Sequence, residues 1–314
     1  MTVHTTLFIP ATPGSTDAWA QALARHGVRF DGKRIDGAPW VSTVELVPND
    51  GHFADAFRLP TVSDAQRIAI GDASAALVLH VEQPLQQVAA PLADLVATLG
   101  KCGALAVRIE ESKLGFPVDD WVELVGSGNP WALYGAAVLV LTGEDGVVQS
   151  CGMHVFALPD AQVKLEGREG NELLGSFNVF QLAEDPVLRS GETFAPDAAT
   201  PRRVLQREPD TRYPASHACH NPFGIWELGP EGGVARPQNE LELVFMPPLA
   251  ALLAAAEEQK GGPLTEVEVT NIRDKAVCMK MKPRDARALE RSRGYADIEP
   301  ERAFEHWQLV RETS

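Results

Sequence analysis

The hydrophobic pattern at the start of the chain predicts a strand followed by a helix. Thr6 to Pro10 is a short apolar run, and Ser15 follows it as a helix N-cap. Apolar side chains then recur at helical spacing from Trp19 to His26, and Gly27 supplies a stop. Polar and apolar residues alternate from Val41 to Val47, which predicts a half-buried strand.

The next segments repeat the order of strand and helix. Ala75 to Val81 is almost continuously apolar, as in a strand that is covered on both faces. Leu85 to Leu99 follows helical spacing, with Pro91 either kinking the helix or starting a new one. Leu105 to Ile109 alternates as a strand, and Pro117 then opens a short helix.

Two strand-rich runs in the middle of the chain predict an antiparallel hairpin. They are Leu133 to Thr142 and Val147 to Leu158, and turn-forming residues join them from Gly143 to Gly146. A helix is predicted from Asn171 to Glu184, where Pro186 stops the pattern. The sheet is therefore expected to be mixed.

The C-terminal part has a thinner alternation. Ser190 to Arg212 is rich in Pro, Asp and Arg and is expected to be loosely structured, with a short strand at Val204 to Arg207. Beyond it we predict strands at Ile225–Leu228, Glu240–Met246, Thr265–Ile272 and Ala276–Met281, a helix at Leu249–Gln259, and helices after Pro283 and Pro300.

These elements together predict an α+β fold. Mixed, largely antiparallel sheets would be covered by helices, and ferredoxin-like modules would produce the recurring order of strands and helices. A chain of 314 residues is long enough for two domains. We place an N-terminal α+β lobe at residues 1–186 and a C-terminal α+β lobe at residues 187–314.

The composition is that of a globular protein with a strong negative charge. Hydrophobic residues make up 45% and charged residues 23%, and 43 acidic against 28 basic residues leave a net charge of -15. Such a charge repels phosphate backbones and anionic lipids, so we expect neither nucleic acid nor membrane as a partner. It suits a basic protein partner or a cation, although acidity also serves solubility alone.

The cysteines and the hydropathy indicate the cellular compartment in which the protein is located. Cys102, Cys151, Cys219 and Cys278 lie far apart without CxxC spacing, which favours free thiols in a reducing environment. The sequence contains neither a leader-like N-terminus nor the roughly 18 consecutive apolar residues of a spanning helix. We therefore expect a cytoplasmic protein.

The densest group of possible metal ligands is His217, Cys219 and His220, because imidazole and thiolate both bind zinc. On an extended chain His217 and Cys219 face one way and His220 the other, so a further ligand is needed. His154, which lies near Cys151 in the sequence, is the candidate. The alternative is that all four are ordinary turn and strand residues.

Other chemical motifs are weak. No Gly-x-Ser-x-Gly elbow occurs. Cys151 and Cys102 each precede a glycine beside a strand or helix end, where a free cysteine usually behaves as a small buried hydrophobic residue, so we interpret both as inert packing residues. Asp50, His52 and Asp55 could bind a metal but are typical of a turn-rich loop. The glycine-rich stretches at 126–128 and 229–233 lack the context of a phosphate-binding loop.

Several aromatic residues could line a groove, but core packing is the preferred interpretation for them. They are Trp121, Trp131, Tyr134, Phe223 and Trp226. Because Trp226 follows His217 to His220 closely, the segment 213–228 is the first place to look for a functional surface.

One stretch carries a family resemblance. The apolar strand at Ala76–Val81, the helix after it, the strand at Ala104–Ile109 and the block from Ser150 to Asp160 are its elements. The run from Ser74 to Leu165 thereby resembles a bacterial family known as domain of unknown function 4261. Ala157 replaces the family's glycine and Asp160 its glutamate. The resemblance implies a compact, bacterial, cytoplasmic α+β domain and supplies no catalytic residues.

The leading functional hypothesis is a non-catalytic protein-binding module, such as a bacterial immunity or secretion-accessory protein, that occupies a basic partner. The alternative is a metal-assisted hydrolase organised around His217, Cys219 and His220 with His154. A structural scaffold within a larger assembly is a third possibility. The sequence predicts no cofactor and leaves the oligomeric state open.

Overall fold

A computed structural model of the chain describes residues 3–143, 146–165, 167–231, 242–281, 289, 293, 297–298 and 300–313. The chain divides into two compact units, residues 1–235 and residues 236–314. The described residues have the predicted α+β fold with mostly antiparallel sheets. No helix within these ranges has the length and apolar character needed to cross a bilayer.

The first sheet of the first unit is antiparallel throughout, with strand order β2-β3-β1-β4-β5. Its elements in chain order are β1 (Thr5–Ala11), α1 (Thr16–Ala24), β2 (Val41–Pro48), α2 (Asp64–Gly71), β3 (Ala75–Val81), α3 (Leu85–Lys101), β4 (Ala106–Ile109), β5 (Gly115–Pro117) and α4 (Val118–Gly126).

This sheet contains one ferredoxin-like unit. The succession of β1, α1, β2, β3, α3 and β4, with β1 and β3 at the centre of the sheet, is the βαββαβ arrangement. Strands β1 and β3 share a core with α1, α3 and α4 on one face. On the other face a 3₁₀ helix at Phe53–Phe57 and α2 cover the sheet. As predicted, β3 is therefore covered on both faces.

The second sheet is mixed, with strand order β6-β7-β8-β11-β10-β9 and a parallel pair of β8 and β11. Its order differs from that of the first sheet, so the described residues do not repeat the ferredoxin-like unit. Its elements are α5 (Pro130–Ala137), β6 (Leu139–Thr142), β7 (Val147–Cys151), β8 (Asp160–Lys164), α6 (Gly167–Glu184), β9 (Thr193–Phe194), β10 (Arg203–Glu208) and β11 (Ile225–Glu231).

The second unit is smaller. Helices and a two-stranded antiparallel sheet surround a core that includes Phe245, Leu253 and Trp307. Its elements are β12 (Glu242–Phe245), α7 (Leu249–Lys260), α8 (Glu266–Lys275), β13 (Cys278–Met281) and α9 (Ala303–Thr313). The helix predicted after Pro283 falls largely outside the described residues.

Two strand predictions were wrong because helix-capping signals outweigh short alternating patterns. The first half of the run predicted as a strand, Leu133–Thr142, lies instead in helix α5. This helix starts at Pro130 because the Asn129 side chain accepts hydrogen bonds from two backbone N–H groups and Pro130 occupies the first turn. The segment Thr265–Ile272 is helical because Thr265 and Glu268 form a capping box. The hairpin of β6 and β7 is confirmed.

The second of the two hairpin strands is shorter than predicted. Strand β7 ends at Cys151 because Gly152 has a φ of +124°, and a 3₁₀ turn from Met153 to Phe156 follows. A Cβ atom at Gly152 would lie 2.4 Å from the carbonyl oxygen of Ala137. The glycine therefore fixes the sharp exit that places His154 in a buried turn directly after Cys151.

The predicted lobe boundary at 186/187 does not coincide with the division between the two compact units. Strands β9, β10 and β11 lie in the same sheet as β8, so residues 187–231 belong to the first unit. The parallel pairing of β8 with β11 crosses more than sixty residues of chain and leaves no trace in local patterning.

Candidate functional site

Three of the four predicted ligand residues lie in the loop that connects β10 to β11, residues 209–224. Residues 214–218 of this loop are exposed, whereas Cys219 and Asn221 are buried. The fourth residue, His154, lies in the 3₁₀ turn after β7. The fold thus brings the two segments together, as the metal hypothesis required.

A buried ion cluster fastens the start of this loop. The Arg212 guanidinium lies 2.9 Å from the Asp160 carboxylate and 2.8 Å from that of Asp210, and both carboxylates are fully buried. It also donates to the carbonyl oxygen of Ser150 at 2.7 Å. Because each charge has an opposite charge and hydrogen bonds, the cluster is structural and holds the loop against β7 and β8.

The end of the loop is fastened by Asn221. Its side-chain amide donates to the carbonyl oxygen of Leu158 at 3.0 Å, and its backbone N–H donates to Asp210 at 2.9 Å. Asp210 therefore accepts from both ends of the loop. The segment between Arg212 and Asn221 carries Cys219 to a fixed place beside β7.

Cys219 meets Cys151 at this place. The Cys151 sulfur lies 3.4 Å from the Glu111 carbonyl oxygen and 3.9 Å from that of Cys219. Hydrogen bonding from Cys151, and the charges of His217 and Lys113, lower the pKa of Cys219 to about 6 against the effect of burial. The same hydrogen bond and burial raise the pKa of Cys151.

His217 is exposed and lies beside Cys219. Its Nδ1 accepts the Cys219 backbone N–H at 3.2 Å, and its ring stacks on Tyr213 with 4.9 Å between the ring centres. Accepting through Nδ1 leaves the proton of the neutral ring on Nε2. The imidazole is therefore oriented by the backbone of the residue whose thiol it adjoins.

His154 is buried with both ring nitrogens outside normal hydrogen-bond geometry. Burial lowers its pKa to about 4, although the nearby Ala218 backbone acts in the opposite direction. His220 also has a buried Nδ1 without a partner, and its charge would disfavour protonation of His154. The His154 imidazole is therefore a neutral packing group near neutral pH.

The metal centre predicted at these four residues stays a prediction. The described ranges contain no group of three or more His, Cys, Asp or Glu side chains that could hold a metal ion. His217 Nδ1 already accepts a backbone N–H. The interpretation of Cys151 as packing alone missed its contact with Cys219, because 68 residues separate them.

Glu111 is a second buried carboxyl group beside the cysteines. Its two oxygens accept the backbone N–H of Thr6 at 2.9 and 3.0 Å. Burial is the main cause that raises its pKa to about 7. The Glu111 carboxyl group therefore exchanges a proton close to neutral pH.

The aromatic residues mostly serve the core. Trp121, Tyr134 and Trp226 are buried, as expected, whereas Trp131 is 55% exposed.

A surface depression of about 430 Å³ is lined by residues 34–39, 41 and 42, and none of the predicted site residues contributes to it.

The outer surface of α3 and α4 is acidic. These two helices pack against each other and expose Asp94, Asp119, Asp120 and Glu123. Lys101 is the single basic residue in their sequences. No described basic residue forms an ion pair with any of these four carboxylates, in contrast to Glu172 on α6, which pairs with Arg168 at 2.6 Å. We call these four residues the acidic helix face.

Comparisons of the chain with protein-family models, with curated proteins and with solved structures give no match. The resemblance to domain of unknown function 4261 accordingly stays a prediction from the residues between Ser74 and Leu165. The function has to be argued from the surfaces and side chains described above.

Proposed function

We propose that this protein is a non-catalytic binding module whose first unit occupies a basic protein partner through the acidic helix face. The observation that carries the proposal is the uneven distribution of charge. Of the 43 acidic and 28 basic residues, 29 and 16 lie in residues 1–235, whereas 14 and 12 lie in residues 236–314. Nearly all of the negative excess therefore belongs to the first unit.

The position of the charges within that unit supports the proposal further. The fully buried carboxylates Asp160 and Asp210 are neutralised by Arg212. The carboxylates of the acidic helix face are exposed and have no described cation, so their field acts on the solvent. A surface of this kind attracts a basic partner, raises the rate of association and disfavours acidic competitors.

A bacterial immunity or secretion-accessory protein fits this chemistry, because such proteins bind another protein instead of converting a substrate. A reducing cytoplasm suits the four cysteines, which are all free thiols in the structure. Both assignments are part of the proposal and follow the same reasoning about charge and thiols.

The test is affinity capture with matched charge variants of the full chain. One variant removes the acidic helix face through Asp94→Asn, Asp119→Asn, Asp120→Asn and Glu123→Gln. The control removes the same number of exposed charges from other surfaces of the first unit through Asp17→Asn, Asp64→Asn, Asp72→Asn and Glu172→Gln. Each protein is immobilised and exposed to lysate of the source cells at low salt, and retained proteins are identified by mass spectrometry.

We expect the native chain and the control variant to retain the same basic protein, and the face variant to lose it. With the purified partner, the face variant should bind about tenfold or more weakly, and added salt should weaken the native complex. Equal binding by both variants would refute the role of the face. Failure to retain any basic protein, or stoichiometric zinc in chain purified without a histidine tag, would overturn the proposed function.

A further inference from the structure

The proposed function makes no use of the two buried cysteines that meet between β7 and the loop 209–224. Cys151 ends β7, where Gly152 turns the chain, and Cys219 is held by the fastened loop. The Cys151 thiol lies 3.9 Å from the Cys219 carbonyl oxygen, and the two thiols shift each other's pKa in opposite directions. Cys102 is half-buried and Cys278 is exposed in the other unit, so each is a separate thiol.

We propose that Cys151 and Cys219 form a redox-active dithiol that a hydroperoxide converts to an intramolecular disulfide and that a dithiol reductant restores. The Cys151 sulfur already lies 3.9 Å from the Cys219 carbonyl oxygen, so the two cysteines are neighbours in the fold, as an intramolecular disulfide requires. Two thiols placed in contact, with one of them close to solvent, are the arrangement that reversible thiol oxidation requires.

The two cysteines have different environments and therefore different roles. Cys219 is the thiol that attacks the peroxide, because it accepts a hydrogen bond from Cys151 and lies near His217 and Lys113, which lower its pKa. Cys151 is the thiol that resolves the product. It is 2% exposed, and its proton is held by its neighbours, so its pKa is raised and it does not react first.

The covering loop gives the oxidant its route. Cys219 itself is 7% exposed, but residues 214–218 directly before it are on the surface. The stacked rings of Tyr213 and His217 flank this exposed segment, and the Ala218 backbone is close to His154. A local opening between Arg212 and Asn221 exposes the Cys219 sulfur while both fastened ends keep their hydrogen bonds.

The reaction balances with hydrogen peroxide as the only co-reactant. The Cys219 thiolate attacks one peroxide oxygen, the O–O bond breaks, and the leaving hydroxide takes a proton to become water. The Cys151 sulfur then attacks the resulting sulfenic acid, the S–O bond breaks, and a second water leaves with the Cys151 proton. The two sulfurs together lose two electrons, and the peroxide is reduced to two molecules of water.

The first measurement uses the reduced native chain and hydrogen peroxide itself. After brief treatment, remaining thiols are blocked, and the chain is digested without reductant for peptide mass spectrometry. We expect a peptide pair joined through Cys151 and Cys219, and the number of thiols that titrate in denaturant should fall from four to two. Dithiothreitol should restore all four.

Single variants separate the two roles. In Cys151→Ser, Cys219 should gain oxygen atoms instead of forming a disulfide, because no resolving thiol is present. In Cys219→Ser, Cys151 should remain unmodified. The control variant with both Cys102→Ser and Cys278→Ser should form the disulfide as the native chain does. Circular dichroism verifies that each variant is folded, and Cys151→Ala replaces Cys151→Ser if the serine variant is not.

The native chain alone can overturn the proposal, whatever the variants do. If peroxide oxidises only Cys102 or Cys278, or if no Cys151–Cys219 peptide pair forms, the dithiol is not a redox site. The proposal is also refuted if Cys151 is oxidised as fast in Cys219→Ser as Cys219 is in Cys151→Ser. None of these outcomes bears on the binding of a basic partner.

Discussion

Two buried carboxyl groups in the first unit, Asp160 and Glu111, are treated differently by the fold. Asp160 is fully buried and has the Arg212 guanidinium at 2.9 Å, the Met153 N–H at 3.1 Å and the Ser150 hydroxyl at 3.3 Å. Glu111 is 5% exposed, and both of its carboxylate oxygens accept the backbone N–H of Thr6.

The partners decide where each group titrates. Burial raises the pKa of Asp160 to about 6 against the opposing effect of Arg212, which leaves this group mainly ionised at neutral pH. Burial raises the pKa of Glu111 to about 7, so about half of it is protonated there. The comparison shows that Asp160, which has a guanidinium beside it, stays mainly ionised, whereas Glu111 exchanges a proton near neutral pH.

The largest expected effect comes from removing that cation. Arg212→Met leaves Asp160 and Asp210 buried without a positive charge, and should lower the free energy of unfolding by about 3–5 kcal/mol. Urea denaturation at pH 7 measures it. Adding Asp160→Asn to the variant should recover part of the loss, and a loss below about 1 kcal/mol would show that the ion cluster is not buried as described.

The second effect concerns the pH dependence caused by Glu111. Because its folded pKa lies above the unfolded value, its stabilising contribution is complete below pH 4.5 and is lost as the pH rises towards 7. Ionising the buried group then costs up to about 3 kcal/mol. Glu111→Gln removes this cost, so the variant should gain stability over the native chain between pH 5 and pH 8.

Taking the difference between the two chains at each pH cancels the contribution of His154. That contribution has the opposite sign, since the folded pKa of His154 is lowered to about 4 and its stabilising effect is lost as the pH falls from 6.5. A difference between native chain and Glu111→Gln that stays constant from pH 5 to pH 8 would contradict the raised pKa of Glu111.

A smaller effect is expected from Ser150, which supports Asp160 from the other side. Its hydroxyl donates to Asp160 and accepts the Ala161 N–H at 2.8 Å. Ser150→Ala leaves a buried backbone N–H without its partner and should cost about 1–2 kcal/mol in urea denaturation at pH 7. A neutral result would place water, rather than Ser150, in that role.

The smallest effect is a gain in stability on the Glu111 side. Thr5 is fully buried and its hydroxyl has no hydrogen-bond partner. Thr5→Val keeps the shape and removes the unpaired group, which should raise the free energy of unfolding by up to about 1 kcal/mol. Thermal unfolding measures the change. Thr43→Val is the control, and it should change the stability little because Thr43 is exposed on β2. A loss of stability would show that the Thr5 hydroxyl has a partner.

Local patterning predicted most of the first sheet. The strands at Val41–Val47 and Ala75–Val81, and the helix from Leu85, agree with β2, β3 and α3 within one or two residues. In these segments the apolar period and the capping residues indicate the same structure. Where they disagree, as at Asn129–Pro130 and at Thr265–Glu268, the cap was the better guide. Helix α2 begins at a similar capping box, which Ser63 and Gln66 form. No helix was predicted there from the sequence.

For the candidate sites too, the sequence identified residues that are close along the chain and missed those that only strand pairing brings together. The sequence pointed to the segment around His217, Cys219 and His220, and the structure does bring His154 close to it. The metal site that was the alternative there stays a prediction, and no group of three or more possible metal ligands converges in the described residues. The contact between Cys151 and Cys219 depends on the pairing of β7, β8 and β11, which no local pattern encodes.

The sequence alone therefore determined the fold class, the acidic character and the positions of most strands and helices, because these depend on side chains that are close along the chain. Tertiary structure decided which buried charges are paired, which thiols meet, and where the boundary between the two units lies. The physical reason is that burial and Coulomb interactions act between groups that are close in space, and strand pairing sets that closeness across long stretches of chain.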